Sequence, residues 1–553
     1  MAREARICNE WHARASCRWS IRFDETRTLA EAGSAAGADR THHVARVVFL
    51  VHPVCPPRAV MIPPRSALSH SIPIGSDGGL ASLAAALRDG TRTATDVVEQ
   101  ALERTRTLQG ELNALVEDRA AQALEEARLA DQRRQGNPPD DLPVLHGVPF
   151  VVGENIAVTG MPHTGGRASL DGTRASRDAT AVARLRDAGA ICIGVANTAE
   201  AGFGIETRNG LHGRTGNPRD PARAAGGSAG GVGALVACGA VPFGLALDLH
   251  GDARLAGHFC GVHAIKPTGG LVPITGVSPH PRGKARRYAT IAPLARRAED
   301  LAPLLRILAG PDGEDRAAIP LRWRDPAAHD FTWKRVVRCP DFGLAGLSPD
   351  RTQLRALDRA ARVLALRGAE VEEWRPQQLG DADEIWLAMH HEANGLHASF
   401  ADQLFEGAEP TLLAHFGRAI LGRSPHTLDA LGLALVERLT RSSYMRIQRL
   451  CALGRRLRER LNTVLGDGGV LLTSPWPIAV PAGHRTLRHP RAFIHSAIFN
   501  VLEVPAAVVP VTRDALGMPI AVQIVAAQGR DDAALAAAAH IAQAVGSIGD
   551  PPR

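Results

Sequence analysis

Ser228 lies inside a run of glycines, Gly226-Gly227-Ser228-Ala229-Gly230-Gly231, and 24 residues later a turn of sequence LDLHGDAR brings His250 and Asp252 onto one short segment. A serine hydroxyl can attack an acyl carbon or relay a proton, and imidazole and carboxylate can move protons. Glycine-rich turns leave backbone N–H groups free to face an anion or an oxyanion. Gly226 and Gly227 are therefore candidate binding residues around Ser228, and residues 226–272 read as the wall of an active site.

The elements that must position this wall follow from apolar periodicity. Val232 to Cys238 reads as a short buried helix closed by Gly239, and Val241 to Leu247 as a buried strand. Upstream, Leu80 to Gly90 and a segment capped by Thr93 or Thr95 carry apolar residues at helical spacing, and Ala121 to Arg134 continues as a charged helix. Val148 to Val152 is a second buried strand, Thr180 to Ala188 a helix, and Ala190 to Gly194 a third strand. Val336 to Cys339 and Ala369 to Trp374 are strands flanking a helix from Asp350 to Leu366, and residues 381–465 read as mostly helical. The alternation predicts an α/β fold.

The 553 residues carry a net charge of +7, but residues 1–75 hold ten Arg against six acids, which leaves +3 for the rest. So small an excess, with two Tyr and no aromatic residues interleaved with basic ones, excludes nucleic acid as a partner. No apolar run approaches membrane-spanning length, so no membrane partner is expected. Eight cysteines with no CxxC pair read as reduced and mostly buried in a cytoplasmic protein, and no cofactor or metal is expected. Residues 1–75 lack a sustained period and read as a poorly ordered extension, either a stretch ahead of a true start at Met61 or a targeting or partner-binding arm. The expected organisation is this extension, a domain over 76–545 with 381–465 as a pocket-like helical insertion, and a tail over 546–553.

Several motifs together resemble the amidase signature family. GGSAGG resembles its GGSSGGS, LDLHGDAR its TDxGGSIR, FCGVHAIKPTGG its FCGxxGLKPTxG, and HGVPFVVGENI its GVPFxVKDNI. The C-terminal segments LLTSPWPIAVPA and FNVLEVPAAVVPVTRDALGMPIAVQ match its closing motifs. The resemblance covers roughly residues 79–545. It implies a large mixed β-sheet sandwiched between helical layers. It also implies a serine, cis-serine, lysine triad at positions 252, 228 and 153, with the backbone N–H groups of Leu249, His250 and Gly251 binding the oxyanion.

The chain departs from that triad at two of its three positions. Ser228 stands where the cis-serine belongs, but Asp252 replaces the nucleophile and Gly153 the lysine base. His250 replaces the first glycine of the oxyanion turn, and Glu154 an aspartate. A carboxylate attacking an amide would have to form a higher-energy anhydride, and beside the oxyanion donors its charge opposes the transition state. Lys266, Lys284 and Lys334 are the chain's remaining lysines, and none lies in a triad pattern.

Two readings follow. In the first, the protein has lost amide hydrolysis and keeps the fold to bind a small amide-like ligand or a protein partner. In the second, it is a carbon–nitrogen hydrolase acting on an amide or carbamate by rearranged chemistry around Ser228, His250 and Asp252.

Other constellations are weaker. His250 and Asp252 with His163, His212 and His258 would form a hydrolytic or metal centre only by coincidence of folding, because their spacing matches no ligand pattern. His390, His391, Glu392 and His397 do not form HExxH and read as a solvated helix face, and Cys260 as a core thiol. Trp386, Met389, Phe400, Phe405 and Phe416 would line either a pocket or ordinary core.

Overall fold

Consecutive residues of the sheet pack to opposite sides. Val336 joins one buried apolar cluster and Val337 another, and the same split separates Leu472 from Leu471 and Ile524 from Val525. That period of two, apolar on both phases, is what a sheet covered on both faces requires. In this computed structural model the residues described are 74, 78–344, 346–394, 400–405, 412–421, 423–439, 443–549 and 551.

In chain order the strands are β1 (Leu115–Asp118), β2 (Pro149–Gly153), β3 (Ile191–Ala196), β4 (Arg208–Asn209), β5 (Gly213–Arg214), β6 (Phe243–Asp248) and β7 (His263–Lys266). They continue as β8 (Thr290–Ala295), β9 (Arg335–Arg338), β10 (Glu370–Glu373), β11 (Val470–Thr473), β12 (Ala506–Arg513) and β13 (Pro519–Ala526). Eleven of them form one mixed sheet in the order β1-β3-β2-β6-β8-β7-β12-β13-β11-β9-β10, and β4 and β5 form a separate hairpin. β2 runs parallel to both β3 and β6, whereas β6 and β8 are antiparallel. Gly153, at the end of β2, pairs with Ala196, and Asp248, at the end of β6, pairs with Thr290. The parallel run through β3, β2 and β6 thus delivers both positions at strand ends.

The expected α/β sandwich is what the chain builds. Thr93 is the cap, accepting from the Asp96 N–H at the head of the helix Ala94–Leu112. The glycine run continues into the helix Gly230–Ala237, which starts before the expected Val232, and β6 begins at Phe243 rather than Val241 because Val241 and Pro242 still belong to the turn. Cys192, Cys238, Cys260, Cys339 and Cys451 are buried free thiols, while Cys8, Cys17 and Cys55 fall outside the described residues. So does the expected extension, residues 1–75, except for Ile74, which is buried and donates its N–H to Gly239 O. No helix among the described residues is long and apolar enough to cross a membrane.

The reading of His390, His391 and Glu392 as a solvated face is corrected by the helix Ala382–Asn394. Ile385, Trp386, Met389, His390 and Ala393 recur at the spacing of one helical stripe and are all buried, so His390 points into the core. Glu392 pairs with Arg455, and His397 lies outside the described residues.

The helix Arg351–Ala365 opens on a capping box in which Asp350 accepts from the Thr352 and Gln353 N–H groups and Gln353 reaches back to the Asp350 N–H. Asp350→Ala is expected to lower the unfolding free energy by about 1 kcal/mol in a urea titration.

Candidate active site

The turn after β6 is held by a fully buried ion pair. Arg254 donates to both oxygens of Asp248 at 3.1 Å, and both side chains are 0% exposed. The guanidinium also donates to Ser496 O (2.7 Å), Gln523 Oε1 (2.8 Å) and Asn500 Oδ1. Asn500 in turn donates to Asp248 Oδ1 at 2.9 Å and to Tyr288 O at 3.0 Å. Burial pushes the Asp248 carboxyl up, but the charge and hydrogen bonds of Arg254 outweigh it and hold the group below its ordinary value. The remaining bond of Asp248 is to the Gly251 N–H, 2.9 Å away, which fixes the turn. Gly251 has φ +100°, and a Cβ there would lie 2.4 Å from Ser496 Cβ, so backbone and space both require glycine.

Asp252 begins the helix Asp252–Cys260, and its carboxylate folds back over the turn. Oδ2 accepts from the Leu249 N–H at 2.6 Å and the His250 N–H at 2.9 Å, and Oδ1 from the Ser228 N–H at 2.8 Å. Of the three backbone donors expected to meet a developing oxyanion, those of Leu249 and His250 are occupied by the Asp252 carboxylate, whereas the Gly251 N–H is taken by Asp248 and the Ser228 N–H joins in its place. Burial and the neighbouring Asp248 charge push Asp252 up to about 7, and the three amide donors oppose that rise.

His250 carries the turn's side chain into an aromatic cluster. Its ring centre lies 5.4 Å from Trp386, 5.7 Å from His390, 5.8 Å from Phe203 and 6.0 Å from Phe400. Burial drives the imidazole down to about 4, so it is neutral at physiological pH. Of the aromatic residues anticipated as pocket or core, Trp386 and Phe400 meet this ring, while Met389 packs against Gly454. Phe405 and Phe416 are partly buried against the same apolar cluster.

The glycine run is built for close approach. A Cβ on Gly227 would sit 1.6 Å from Gly204 O, so the 202–206 loop and the Ser228 turn meet main chain to main chain. Gly226 (φ +101°) is less tight but still close, a Cβ there lying 2.7 Å from the Ala256 backbone. The amide that meets the carboxylate is that of Ser228, and Gly226 and Gly227 serve its approach.

Position 153 belongs to the same neighbourhood. A side chain there would point at Asn155 Oδ1 and Thr198 Cγ2, and the residue after Thr198, Ala199, donates its N–H to Ser228 O at 3.3 Å. Glu154 turns away to tie down the loop below, accepting from Thr164 Oγ1 (2.8 Å) and the Gly166 N–H (3.3 Å). Lys266 is buried and donates to Pro267 O at 2.7 Å, and burial lowers its amine to about 7. His163, His212 and His258 form no metal-binding group with His250 and Asp252, and no such group occurs among the described residues.

Three contributors, Asp248, Arg254 and Glu200, have no role in the sequence reading. Asp248 and Arg254 are the aspartate and arginine that LDLHGDAR keeps from the family pattern, a signal that was present but carried no stated role. Glu200, buried, accepts from the Thr427 N–H and contacts His426 Nδ1, both at 2.7 Å, tying the helical insertion to the loop beside Ser228.

Arg254→Met should cost about 3–5 kcal/mol of unfolding free energy, because it strands the Asp248 charge in the interior. Asp252 titrates higher in the folded chain than in the unfolded one, so its stabilisation is full below about pH 4 and is lost as pH rises through about 7. Asp252→Asn should lack this loss, so that the stability difference between the two chains shifts in the variant's favour from about pH 4 to about 7, as read from paired denaturant titrations.

The amidase family model matches residues 96–535. Fatty-acid amide hydrolase 2-B of Danio rerio is 34% identical over 481 residues, covering 85% of this chain and 90% of that protein. Fatty-acid amide hydrolase 2 of Homo sapiens is 30% identical, covering 84% and 88%. The solved structure of 6-aminohexanoate cyclic dimer hydrolase superposes with a TM-score of 0.70 at 24% identity, covering 86% of this chain and 98% of that one. With the sheet, the serine turn and the ion-paired turn after β6 all in place, the match over most of its length makes this chain a member of the amidase family, of the amidase signature type.

Proposed function

We propose that this protein is an amidase-fold binding protein that no longer hydrolyses amides by the family's serine mechanism. The observation that carries the reading is the Asp252 carboxylate on the Leu249, His250 and Ser228 amides. Catalysis of acyl transfer depends on donors that are free in the ground state and meet negative charge only as the tetrahedral intermediate forms. Here they already carry a charge-bearing group, and an acyl oxygen would have to displace it.

The other two requirements fail independently. Gly153 has no side chain to take the proton that Ser228 would relay, and Asp252 has no hydroxyl where the family has its nucleophilic serine. Losing a nucleophile or its base typically costs up to about a million-fold in rate. The reading keeps the fold as a scaffold for a small amide or a protein partner, and a cytoplasmic location accords with the five buried free thiols.

A second reading is favoured by the extent of identity with fatty-acid amide hydrolases. In it, Asp252 swings off the turn and takes the Ser228 hydroxyl proton as Oγ adds to the acyl carbon, the proton passes to the leaving nitrogen as the C–N bond breaks, and water then hydrolyses the acyl-serine.

The two readings separate in one experiment. The purified chain is exposed to a fluorophosphonate probe and to long-chain primary fatty-acid amides, with Ser228→Ala as control. No labelling and no released ammonia support the first reading, whereas labelling or hydrolysis abolished by Ser228→Ala overturns it. The triple variant Gly153→Lys, His250→Gly, Asp252→Ser should gain probe labelling at least tenfold over the natural chain.

A further inference from the structure

The centre is closed. Ser228 is 1% exposed, Asp252 2%, His250 7% and Leu249 8%, so nothing from solution reaches the turn after β6 unless one of its walls moves. Two of the walls are fixed. The turn itself hangs on the Asp248–Arg254 network, and the Ser228 turn meets Gly204 main chain to main chain.

The helix Leu428–Leu439 is held differently. Its buried stripe consists of Ala430, Leu431, Ala434 and Glu437, which is one large apolar side chain, two methyl groups and a carboxylate. Leu433 and Leu435 are only partly buried, and Val436 is exposed. Apolar stabilisation grows with the area covered, so this stripe holds the helix weakly and the polar contacts at its two ends decide its place. At the first end, buried Glu200 accepts from His426 Nδ1 and the Thr427 N–H, and Thr486 Oγ1 donates to Asp429 Oδ1 at 3.3 Å. At the second, Glu437 accepts from the Phe400 N–H at 2.7 Å.

Both ends lead to the centre. Glu200 follows Ala199, whose N–H donates to Ser228 O. The Phe400 ring lies 6.0 Å from His250, 5.7 Å from Trp386 and 5.2 Å from Phe203. One helix thus joins the loop behind Ser228 to the ring that covers His250.

We infer that the helix Leu428–Leu439 is a lid over His250 and the turn after β6, latched by His426 on Glu200 at one end and by Phe400 on Glu437 at the other. Water can replace each latch, so the helix lifts and takes Phe400 off His250 while the backbone walls stay in place. The lid rests on the reading above only in that a ligand is to reach the turn.

The test uses the natural full chain without ligand. Hydrogen–deuterium exchange is read by mass spectrometry, together with the rate at which diethyl pyrocarbonate modifies His250. His426→Ala and Glu437→Ala are each expected to speed exchange in residues 428–439 at least tenfold and His250 modification at least fivefold, with exchange in β6 and β13 unchanged. His426→Asn, which keeps an N–H donor near the Nδ1 position, should hold both rates within twofold of the natural chain. Faster exchange without faster His250 modification, an equal rise in β6 and β13, or His426→Asn behaving like His426→Ala would overturn the inference, as would no change in either alanine variant. Glu437→Ala carries the test alone should His426→Ala fail to fold. Because neither readout involves catalysis or a ligand, hydrolysis by the natural chain would overturn the binding reading and leave the lid standing.

Discussion

The buried pair of Asp248 and Arg254 is the constraint on which the centre of this molecule depends. Two full charges with no exposure are tolerated because hydrogen bonds surround them: Asn500, Gln523, Ser496 O and the Gly251 N–H complete the shell. Such a network contributes less to net stability than to geometry, since the penalty for burying the charges is repaid only in one arrangement. That arrangement draws together the end of β6, the helix Ile494–Val501 and β13, and it sets the path of residues 249–251. With that path fixed, the amides of Leu249 and His250 converge whether or not a substrate is ever to meet them.

Asp252 exploits this prepared geometry in a way the family's nucleophile does not. Three short N–H donors and a position in the first turn of a helix favour an anion, and burial beside Asp248 disfavours it. The balance leaves the carboxyl poised far above an ordinary aspartate. His250 works in the same direction by apolar means, as its neutral ring fills space between Trp386, Phe203 and Phe400. One turn thus supplies both an anion for the amide donors and a ring for the aromatic cluster.

Much of this was legible in the chain. The motifs flanking positions 228 and 252 singled out two residues that meet in the fold, and Thr93 and Asp350 stand at the heads of the helices expected there. What could not be read were contacts across the fold. That Asp252 accepts from Ser228 as well as from its own turn depends on how the glycine run docks, and that His250 meets Trp386 depends on the packing of a helix far along the sequence. The error over His390 has the same origin, because helical periodicity defines a stripe but only the neighbouring elements decide which stripe is inside. Asn155 is the subtler case. It stands in ENI where the family has DNI, and nothing in the sequence signals that its buried amide finds no partner.

The contact between Gly227 and the Gly204 carbonyl is one of main chain with main chain. Because it joins two stretches of main chain with no side chain between them, it does not depend on what the surrounding residues are, only on glycine being kept. Side chains on the turn can be exchanged, as at His250 and Asp252, while the separation of the two backbones stays put. The separation of the two backbones is therefore set without calling on any side chain mounted on the turn.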